Sequence, residues 1–461
     1  MKIIHSSSWY LPDTSGGVEV YIDDLVKNLQ DLGVSSTVVA ARNTTKPDKY
    51  TYNGTDVYRY PCNPETAKPA EYEEQIPPKD FDYFVDWIRQ QKADIYHQHS
   101  WRFGCGVHHL REANKLGLPS IVTIHLSEAI CLRGTMMRQG ETVCDGFIDE
   151  TLCGRCVGVP SRVPSWGITA LSNLPGATLA LETYLLDSSE VRLRQLARAI
   201  GIPRRVKVHR QKLLEMAALA DRIVAVCDWL YEALLINGVP KEKLVLCRQG
   251  VSSNIGGELL KIDNRIALSE KPLRVGFLGR WHETKGAEVL VEAVRRLPRD
   301  VNIELILHGM VHGESDRQAR DRALAISQTD SRIRVAEKLS RLEVAPALRN
   351  FDVLAVPSQC LETGPLVVLE AFKLGVPVLG SNIGGIAELV EDGVNGWLIP
   401  ALDVPAWGKA LANLAQNRDV VARLSENIHH IPVRTMQNVA TEMAAIYEEV
   451  LNKYQGAFLG K

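Results

Sequence analysis

Long apolar runs and a strong net charge are both missing from this sequence. No stretch of about 18 apolar residues occurs, so no transmembrane helix is predicted. Lysine and arginine total 53 against 55 aspartates and glutamates, and the net charge of -2 gives no general attraction to nucleic acid or membranes. The beginning, MKIIHSSSWY, lacks the basic and apolar regions of a secretory signal, so a cytoplasmic location is expected.

Internal repeats and low-complexity tracts are also absent. The 461 residues exceed what one hydrophobic core organises and suit two domains of roughly 200 residues each. Short apolar runs alternate with helical patterns, for example 2–4 before 18–29 and 273–278 before 287–297. This alternation predicts an α/β fold in which helices cover both faces of parallel sheets.

The domain organisation follows from two breaks in this alternation. A polar linker over residues 252–272 lacks periodicity, and we place the domain boundary near residue 262. The predicted parts are therefore residues 1–262, residues 263–435 and a terminal helix in residues 436–461. Residues 131–160 are rich in glycine, cysteine and charge, so they are predicted to be a loop insertion in the first domain.

The first candidate site begins at the strand LRVGFLG, which runs into RWHETKG and then a helix. Gly279 permits a sharp turn after the strand, and Arg280 and Lys285 follow near the start of the helix. Free amides and the helix dipole favour an anion there, and the cations add charge-assisted hydrogen bonds. The arrangement suits a diphosphate. Two solvated loop charges are the alternative.

A second candidate site lies at residues 362–370, which follow the strand AVPS and open another helix. Gly364 and Pro365 place free amides at the helix start, where proline is tolerated. A carboxylate repels phosphate, so Glu362 and Glu370 are predicted to accept hydrogen bonds from sugar or ribose hydroxyls. The alternative is a helix-dipole partner for Glu362 and a buried, paired Glu370.

Two further positions follow strands of the first half. Gly16 and Gly17 lie between the first strand and the first helix, where backbone can approach a ligand closely, although a plain tight turn also explains them. His125 directly follows the strand SIVTI and is expected to face a ligand crevice. His97 and His99 could share a face and bind metal. For this pair a packed or hydrogen-bonded role is favoured.

Taken together, four segments resemble the retaining glycosyltransferases of family 4, which have the GT-B fold. They are GGVEVYIDDLVKNLQDLG, VTIHL, GFLGRWHETKG and VPSQCLETGPLVVLEAFKLGVPVLGSNIGGIAELVEDGVNGWLI. The resemblance covers both halves, except the cysteine insertion and much of residues 41–90. It implies two Rossmann-like domains whose parallel sheets face a central cleft, with the acceptor on the first and the nucleotide sugar on the second. It also implies that the terminal helix crosses back to the first domain.

The resemblance implies a role for each matching residue. The implied catalytic residues are His125 near the reacting carbon, Arg280 and Lys285 on the donor diphosphate, and Glu362 at the transferred sugar. The implied donor-binding residues are Gly16, Gly17, Gly279, Arg280, Lys285, Glu362, Thr363, Gly364, Pro365, Leu366 and, on the ribose, Glu370. Many relatives have an aromatic residue and a second glycine after the first glutamate. This chain has Thr363-Gly364-Pro365, so the transferred sugar is not defined.

The implied reaction transfers a hexose-type sugar, with retention, from a nucleoside-diphosphate sugar to a glycan, lipid-linked or small-molecule acceptor. Cations and helix amides, rather than a catalytic metal, would stabilise the leaving diphosphate. Other hypotheses are a sugar-nucleotide epimerase or a phosphorylase on the same fold, or a binding protein without turnover. A requirement for an acceptor separates a transferase from an epimerase.

The insertion contains four closely spaced cysteines: Cys131, Cys144, Cys153 and Cys156. The final C-x-x-C pair fits one edge of a tetrahedral metal site. A glycine- and charge-rich segment cannot form its own core, so a metal would help to order it. Structural zinc is favoured, an iron–sulfur cluster is the alternative metal centre, and free thiols or disulfides are the remaining interpretation.

A basic stretch over residues 192–212 contains eight cations and no acid. Such a cluster could bind anionic lipid head groups at the inner face of the membrane, or an acceptor phosphate. A solvated helix face is favoured. Pro203 is expected to interrupt the helix at this point.

Overall fold

The computed structural model describes residues 1–14, 16–173, 190–252, 255 and 271–459. The chain divides into two compact units, Met1–Cys247 with Ala440–Lys461, and Arg248–Val439. The predicted boundary at residue 262 lies outside the described residues.

The first unit contains an eight-stranded sheet and a separate two-stranded hairpin. The strands, in chain order, are β1 (Lys2–Ser7), β2 (Ser35–Arg42), β3 (Asp48–Tyr52), β4 (Thr55–Pro61), β5 (Ile95–Gln98), β6 (Ser120–Ile124), β7 (Met137–Arg138), β8 (Thr142–Val143), β9 (Arg222–Ala225) and β10 (Leu244–Leu246). The large sheet has the order β10-β9-β6-β5-β1-β2-β4-β3, and β7 pairs with β8. Neighbouring strands of the large sheet are parallel, except that β3 runs antiparallel to β4.

The helices of this unit include several with an apolar stripe at helical spacing. They are α1 (Gly17–Asp31), α2 (Pro69–Tyr72), α3 (Asp82–Arg89), α4 (Val107–Lys115), α5 (Glu150–Cys156), α6 (Ser165–Ser172), α7 (Val191–Leu219) and α8 (Asp228–Ile236). In α1 the buried apolar residues Ile22, Leu25, Val26 and Leu29 recur three and four positions apart. The carboxyl ends of β1, β5 and β6 therefore lie side by side at one edge of a buried sheet.

The cysteine insertion is folded, so its prediction as a loop was incomplete. It contains the β7–β8 hairpin and α5, and it buries apolar side chains such as Met136 and Ile148. Asn237, directly after α8, accepts a hydrogen bond from the Ile148 amide at 2.9 Å and donates to the Gly146 carbonyl at 2.7 Å. The segment therefore uses the core of the first unit instead of one of its own.

The expectation that Pro203 interrupts the basic stretch is wrong. Residues 191–219 form the single helix α7 with Pro203 inside it. A proline removes one amide donor and disturbs the preceding turn. The neighbouring side chains of Ile202 and Val206 are buried, and α7 packs on α4, α5 and α6. Tertiary packing thus outweighs the local cost of the proline.

The second unit contains a six-stranded parallel sheet. Its strands are β11 (Leu273–Arg280), β12 (Ile303–Met310), β13 (Ile333–Ala336), β14 (Val353–Val356), β15 (Val378–Ser381) and β16 (Gly396–Ile399), in the order β13-β12-β11-β14-β15-β16. Its helices are α9 (Ala287–Arg296), α10 (Glu314–Ser327), α11 (Arg341–Arg349), α12 (Leu366–Lys373), α13 (Gly384–Leu389), α14 (Val404–Gln416) and α15 (Arg418–His429). Since β11 and β14 are neighbours, the loops that follow them lie together.

Both faces of this second sheet are buried. One apolar cluster joins the strands to α9 and α14 through residues such as Leu290 and Trp407, and another includes Leu348 of α11 and Val368 of α12. The predicted α/β fold with parallel sheets is confirmed. The last helix, α16 (Met436–Leu459), belongs to the first unit from Ala440 onward. A helix with the length and hydropathy of a membrane span is absent from the described part of the chain.

Candidate active site

Two loops of the second unit meet at the carboxyl ends of β11 and β14. One covers residues 281–286 and the other residues 357–365. The Gln359 amide donates to the Thr284 carbonyl at 2.7 Å. Gly286 has a φ of 71°, and a Cβ on it would lie 1.9 Å from a carbonyl oxygen of the second loop. Glycine therefore permits the contact that holds the two loops together.

Lys285 and Glu362, assigned from the sequence to separate roles, meet at this junction as an ion pair. Ser358 Oγ also donates to Glu362 Oε1, at 2.8 Å. Burial by itself would raise the pKa of the Glu362 carboxyl, but Lys285, Ser358 and Arg280 outweigh burial and lower it. Glu362 is therefore an ionised, well-oriented acceptor at neutral pH, with two cations nearby.

The segment after Glu362 is shaped by glycines. Gly364 has a φ of 112°, and the Gly385 amide donates to the Glu362 carbonyl at 2.7 Å. A Cβ on Gly385 would lie 2.5 Å from the Gly364 nitrogen. Pro365 then precedes Leu366, the first residue of α12. First-turn amides lack intrahelical acceptors, so this helix start is suited to an anion or to sugar oxygens.

Glu370 is buried in α12 and pairs with Arg341, whose Nη1 lies 2.7 Å from Glu370 Oε1. This contact agrees with the alternative of a buried, paired Glu370 and fixes the direction of the carboxylate. Sequence reasoning missed Arg341. The pattern Ser-Arg-Leu-Glu at 340–343 signals the start of α11, but it gives no indication of a partner in another helix.

The glycine pair of the first unit lies at the start of α1. A Cβ on Gly17 would meet open space, whereas a Cβ on Gly16 would lie 2.6 Å from Glu19 Oε2. Thr14 Oγ1 donates to the other Glu19 oxygen at 3.2 Å. A carboxylate of this chain therefore lies beside the helix start that a phosphate would use, a feature that the sequence prediction did not include.

A chain of buried histidines leads to His125. His5 Nδ1 lies 3.0 Å from His99 Nε2, and His99 Nδ1 lies 3.2 Å from His125 Nε2. Burial lowers the pKa of His5 and His125 to about 3. His125 is therefore neutral at physiological pH and can exchange hydrogen bonds without introducing a charge. His5 was missed because its contact with His99 joins strands that are distant in sequence.

The other histidine of this group, His97, has both ring nitrogens engaged. One is 2.7 Å from Thr123 Oγ1 and the other 2.7 Å from the hydroxyl of Tyr447 in α16. Across the described ranges, His5, His97 and His99 form the one group in which three potential ligand atoms lie within 4.8 Å of one another. Their hydrogen bonds match the packed role favoured from the sequence.

The four cysteines of the insertion line one cavity, together with apolar side chains such as Ile130 and Met136. The Gln139 amide donates to Cys156 Sγ at 3.2 Å, and burial raises the pKa of the Cys153 thiol to about 11. Although all four residues are described, no three of their sulfurs approach within 4.8 Å. The thiols therefore share one cavity but are spaced more widely than ligands around a zinc ion.

Several cations of the basic stretch form ion pairs within the first unit. Arg204 and Arg205 contact Glu73 at 3.3 and 3.4 Å, and Lys212 contacts Glu74 at 3.1 Å. These partners come from the segment before α3, which sequence periodicity could not connect with α7. The positive charge of the stretch is therefore partly neutralised by the protein itself.

The two α/β units with parallel sheets are of the kind found in GT-B glycosyltransferases, and the family comparison agrees. Residues 16–250 match the model of the glycosyl transferase 4-like domain, and residues 260–430 match that of glycosyl transferases group 1. The chain belongs to this glycosyltransferase family, as the sequence resemblance predicted.

Similar proteins include enzymes of different specificity. The D-inositol 3-phosphate glycosyltransferase of Stackebrandtia nassauensis is 30% identical over 223 residues, covering 46% of this chain and 50% of that protein. The amylovoran biosynthesis glycosyltransferase AmsK of Erwinia amylovora is 28% identical over 220 residues, covering 46% and 52%. The matches thus span about half the length of these relatives.

Solved structures of similar fold cover nearly the whole chain. The sucrose-phosphate synthase of Thermosynechococcus elongatus has a TM-score of 0.65 and 17% identity, covering 98% of this chain and 100% of that one. Anabaena HepE, solved with UDP and glucose, has a TM-score of 0.63 and 15% identity, covering 97% and 100%. At these identities the likeness establishes the GT-B fold.

The buried histidines predict acid sensitivity. Burial lowers the pKa of several of them, among them His5, His97, His99, His109 and His125. Unfolded histidines bind protons below pH about 6.5 while these folded ones do not, so the free energy of unfolding should fall as the pH decreases from 7.5 to 5.5. Each such histidine should contribute about 1.4 kcal/mol over this whole pH interval. Urea unfolding at both values measures the change.

The matched variants for this test are His109→Asn and His430→Asn. His109 is buried and His430 is exposed. The first variant should make the pH slope shallower, and the second should leave it unchanged. Equal stability of the parent protein at pH 7.5 and 5.5 would contradict the assignment of neutral buried histidines.

Proposed function

We propose that the protein is a retaining glycosyltransferase that moves a hexose-type sugar from a nucleoside-diphosphate sugar to a glycan, lipid-linked or small-molecule acceptor. The observation on which this rests is the pairing of Lys285 with the largely buried Glu362 where the loops after β11 and β14 meet. A ligand at this junction would meet a cation, a carboxylate and helix amides together. Family membership supports sugar transfer, and the complex of HepE with UDP supports a nucleotide donor.

Donor binding would exchange the ion pair for contacts with the ligand. Lys285 and Arg280 would bind the diphosphate, while Glu362 would accept hydrogen bonds from hydroxyls of the transferred sugar. The amides of residues 363–366 would complete the site. Glu370, oriented by Arg341, would accept from the ribose. Gly16 and Gly17 would lie beside the phosphate once the Glu19 carboxylate gives way.

The chemical step follows from where charge develops. As the sugar–oxygen bond breaks, negative charge grows on the diphosphate, and the cations and amides would stabilise it. Transfer is proposed to occur with retention of configuration, and no residue is assigned as a covalent nucleophile. The departing phosphate would therefore accept the proton of the acceptor hydroxyl. His125 would lie near the reacting carbon as a neutral hydrogen-bonding group, since burial lowers its pKa to about 3.

The rival functions are less well supported. An epimerase or a phosphorylase could use the same donor contacts, and a binding protein could keep them without turnover. Consumption of the donor that depends on an added acceptor favours a transferase over an epimerase. Release of a nucleoside diphosphate, rather than a sugar phosphate, favours it over a phosphorylase.

A cytoplasmic location, as expected from the sequence, accompanies this proposal. We do not extend the proposal to a membrane contact through residues 192–212. Arg204, Arg205 and Lys212 already pair with Glu73 and Glu74, which reduces the charge available to lipid head groups.

The cysteine cavity is proposed as a structural zinc site, with an iron–sulfur cluster as the alternative. Four thiols line it and the Gln139 amide already donates to Cys156 Sγ. Binding would require the sulfurs to draw together and lose their protons. A site with four protein ligands has no open position, so the ion would order the insertion and take no part in sugar transfer.

The first prediction for the donor site concerns its cations. Lys285→Ala or Arg280→Ala removes a charge-assisted bond worth about 1.5–3 kcal/mol, so nucleoside-diphosphate affinity or the transfer rate should fall roughly 10- to 100-fold. Calorimetry with UDP, GDP and ADP, together with initial rates, measures this. The control is Lys373→Ala, because Lys373 is exposed at the far end of α12. Parent-like binding and rates in both test variants would refute the diphosphate assignment.

Substitutions of the two glutamates should impair different properties of the enzyme. Glu370→Gln should mainly weaken binding of the bare nucleoside diphosphate, because the ribose loses a charged acceptor. Glu362→Gln should mainly lower turnover, because it contacts the transferred sugar. Binding and kcat are measured separately for each variant. If Glu370→Gln binds the diphosphate as tightly as the parent, its ribose role is wrong.

The metal proposal is tested by elemental analysis of freshly purified protein. About one zinc per chain is expected, and it should be lost from the double variant Cys153→Ser/Cys156→Ser but not from Cys227→Ser. Proteolysis should then cut residues 131–160 faster, while nucleotide binding by the second unit persists. Iron with acid-labile sulfide would indicate the cluster instead. Protein containing neither element would contradict a metal site.

A further inference from the structure

The first unit contains a cavity of about 600 Å³ that has no part in the donor site. Its lining includes Trp9, Trp101, Phe103, Glu73, Arg205 and His209. The volume lies within the range of about 300–1,000 Å³ usual for small-molecule sites. We refer to it as the tryptophan cavity.

The tryptophan cavity lies where a ligand site is expected in a parallel sheet. Trp9 follows β1, Trp101 follows β5 and Glu128 follows β6, so the cavity opens at the carboxyl ends of neighbouring strands. A smaller cavity that includes His125 shares Trp101, Arg102 and Glu128 with it. A ligand in the tryptophan cavity would therefore extend toward His125.

The charges around the cavity balance. Three cations line it, and each has a carboxylate partner that also lines it: Arg102 is 3.3 Å from Glu128, Arg205 is 3.4 Å from Glu73 and Lys212 is 3.1 Å from Glu74. A phosphate would have to displace a carboxylate and leave it uncompensated. Paired donors and acceptors suit hydroxyl groups, which both donate and accept.

His209, which lines the cavity, has an unsatisfied buried polar atom. Its ring interacts with the Ile130 carbonyl, but its buried Nε2 has no hydrogen-bond partner within the described residues. Burial lowers the pKa of His209 to about 4, so the ring is neutral. With the proton on the nitrogen facing Ile130, Nε2 is an acceptor. A hydroxyl that donates to it would satisfy a buried group that otherwise costs stability.

Aromatic side chains also line the tryptophan cavity. Trp9 and Trp101 are partly exposed and Phe103 is buried, and all three line the cavity. An aromatic face packs well against the apolar C–H face of a sugar ring, while the hydroxyls at its edge reach polar groups. We propose that the tryptophan cavity binds a neutral, unphosphorylated sugar ring of the acceptor, packed on Trp101 and donating a hydroxyl to His209. This assignment rests on the proposed transferase function.

Sugar binding is tested without any donor, by saturation-transfer difference NMR. The probes are methyl β-D-glucopyranoside, methyl α-D-mannopyranoside, methyl β-D-galactopyranoside and glucose 6-phosphate. At least one neutral glycoside should bind saturably and more tightly than glucose 6-phosphate. Trp101→Ala should weaken that binding about tenfold or more, whereas Trp101→Tyr, which keeps a ring, should retain most of it. The matched control is Trp166→Ala, because Trp166 is 76% exposed on α6.

Two His209 variants separate the polar contact from packing. His209→Leu should weaken binding of the neutral glycoside. His209→Gln, which keeps a hydrogen-bond acceptor, should retain part of the affinity that His209→Leu loses. The proposal is overturned if no neutral glycoside binds, if glucose 6-phosphate binds more tightly, or if a folded Trp101→Ala protein binds like the parent. Because no donor is present, such a result leaves the transferase function standing whenever Lys285→Ala still loses nucleotide binding.

Discussion

The ion pair between Lys285 and Glu362 is the contact on which the proposed chemistry of the second unit depends. A largely buried carboxylate is costly unless it is paired and hydrogen-bonded, and here Lys285 and Ser358 provide both. The pair also connects the loops after β11 and β14, which Gly286 allows to approach closely. In the proposed function, a ligand would offer negative charge to the lysine and hydroxyls to the glutamate in place of this pair.

The strand ends of the first unit are arranged to be electrically neutral, in contrast to the charged pair of the second unit. Its strand ends hold neutral histidines, and the cations of its cavity are each paired with a carboxylate. An acceptor hydroxyl needs hydrogen bonds and a neutral surrounding, while a diphosphate needs positive charge. The proposal that the first unit binds the acceptor and the second unit binds the donor thus follows from the charges at the strand ends of each unit.

The fold was predictable because it follows from local pattern: strand–helix alternation predicted the parallel sheets. Lys285 and Glu362 lie in loops that follow strands, as the sequence indicated, and their roles at a donor site stay predictions. The contacts of Glu370 with Arg341, of His5 with His99 and of Glu19 with the start of α1 were not predicted. The first two contacts join segments through tertiary packing, which periodicity does not encode, whereas Glu19 lies in the first turn of α1 itself. Packing also explains why Pro203 remains inside α7.

We propose that a nucleoside diphosphate binds where the two loops of the second unit meet. Hydrogen exchange of backbone amides in residues 281–286 and 362–366, with and without UDP, GDP and ADP, tests this binding. At least one nucleotide should slow exchange in both segments together. Unchanged exchange in both segments under a nucleotide that calorimetry shows to be bound would contradict it.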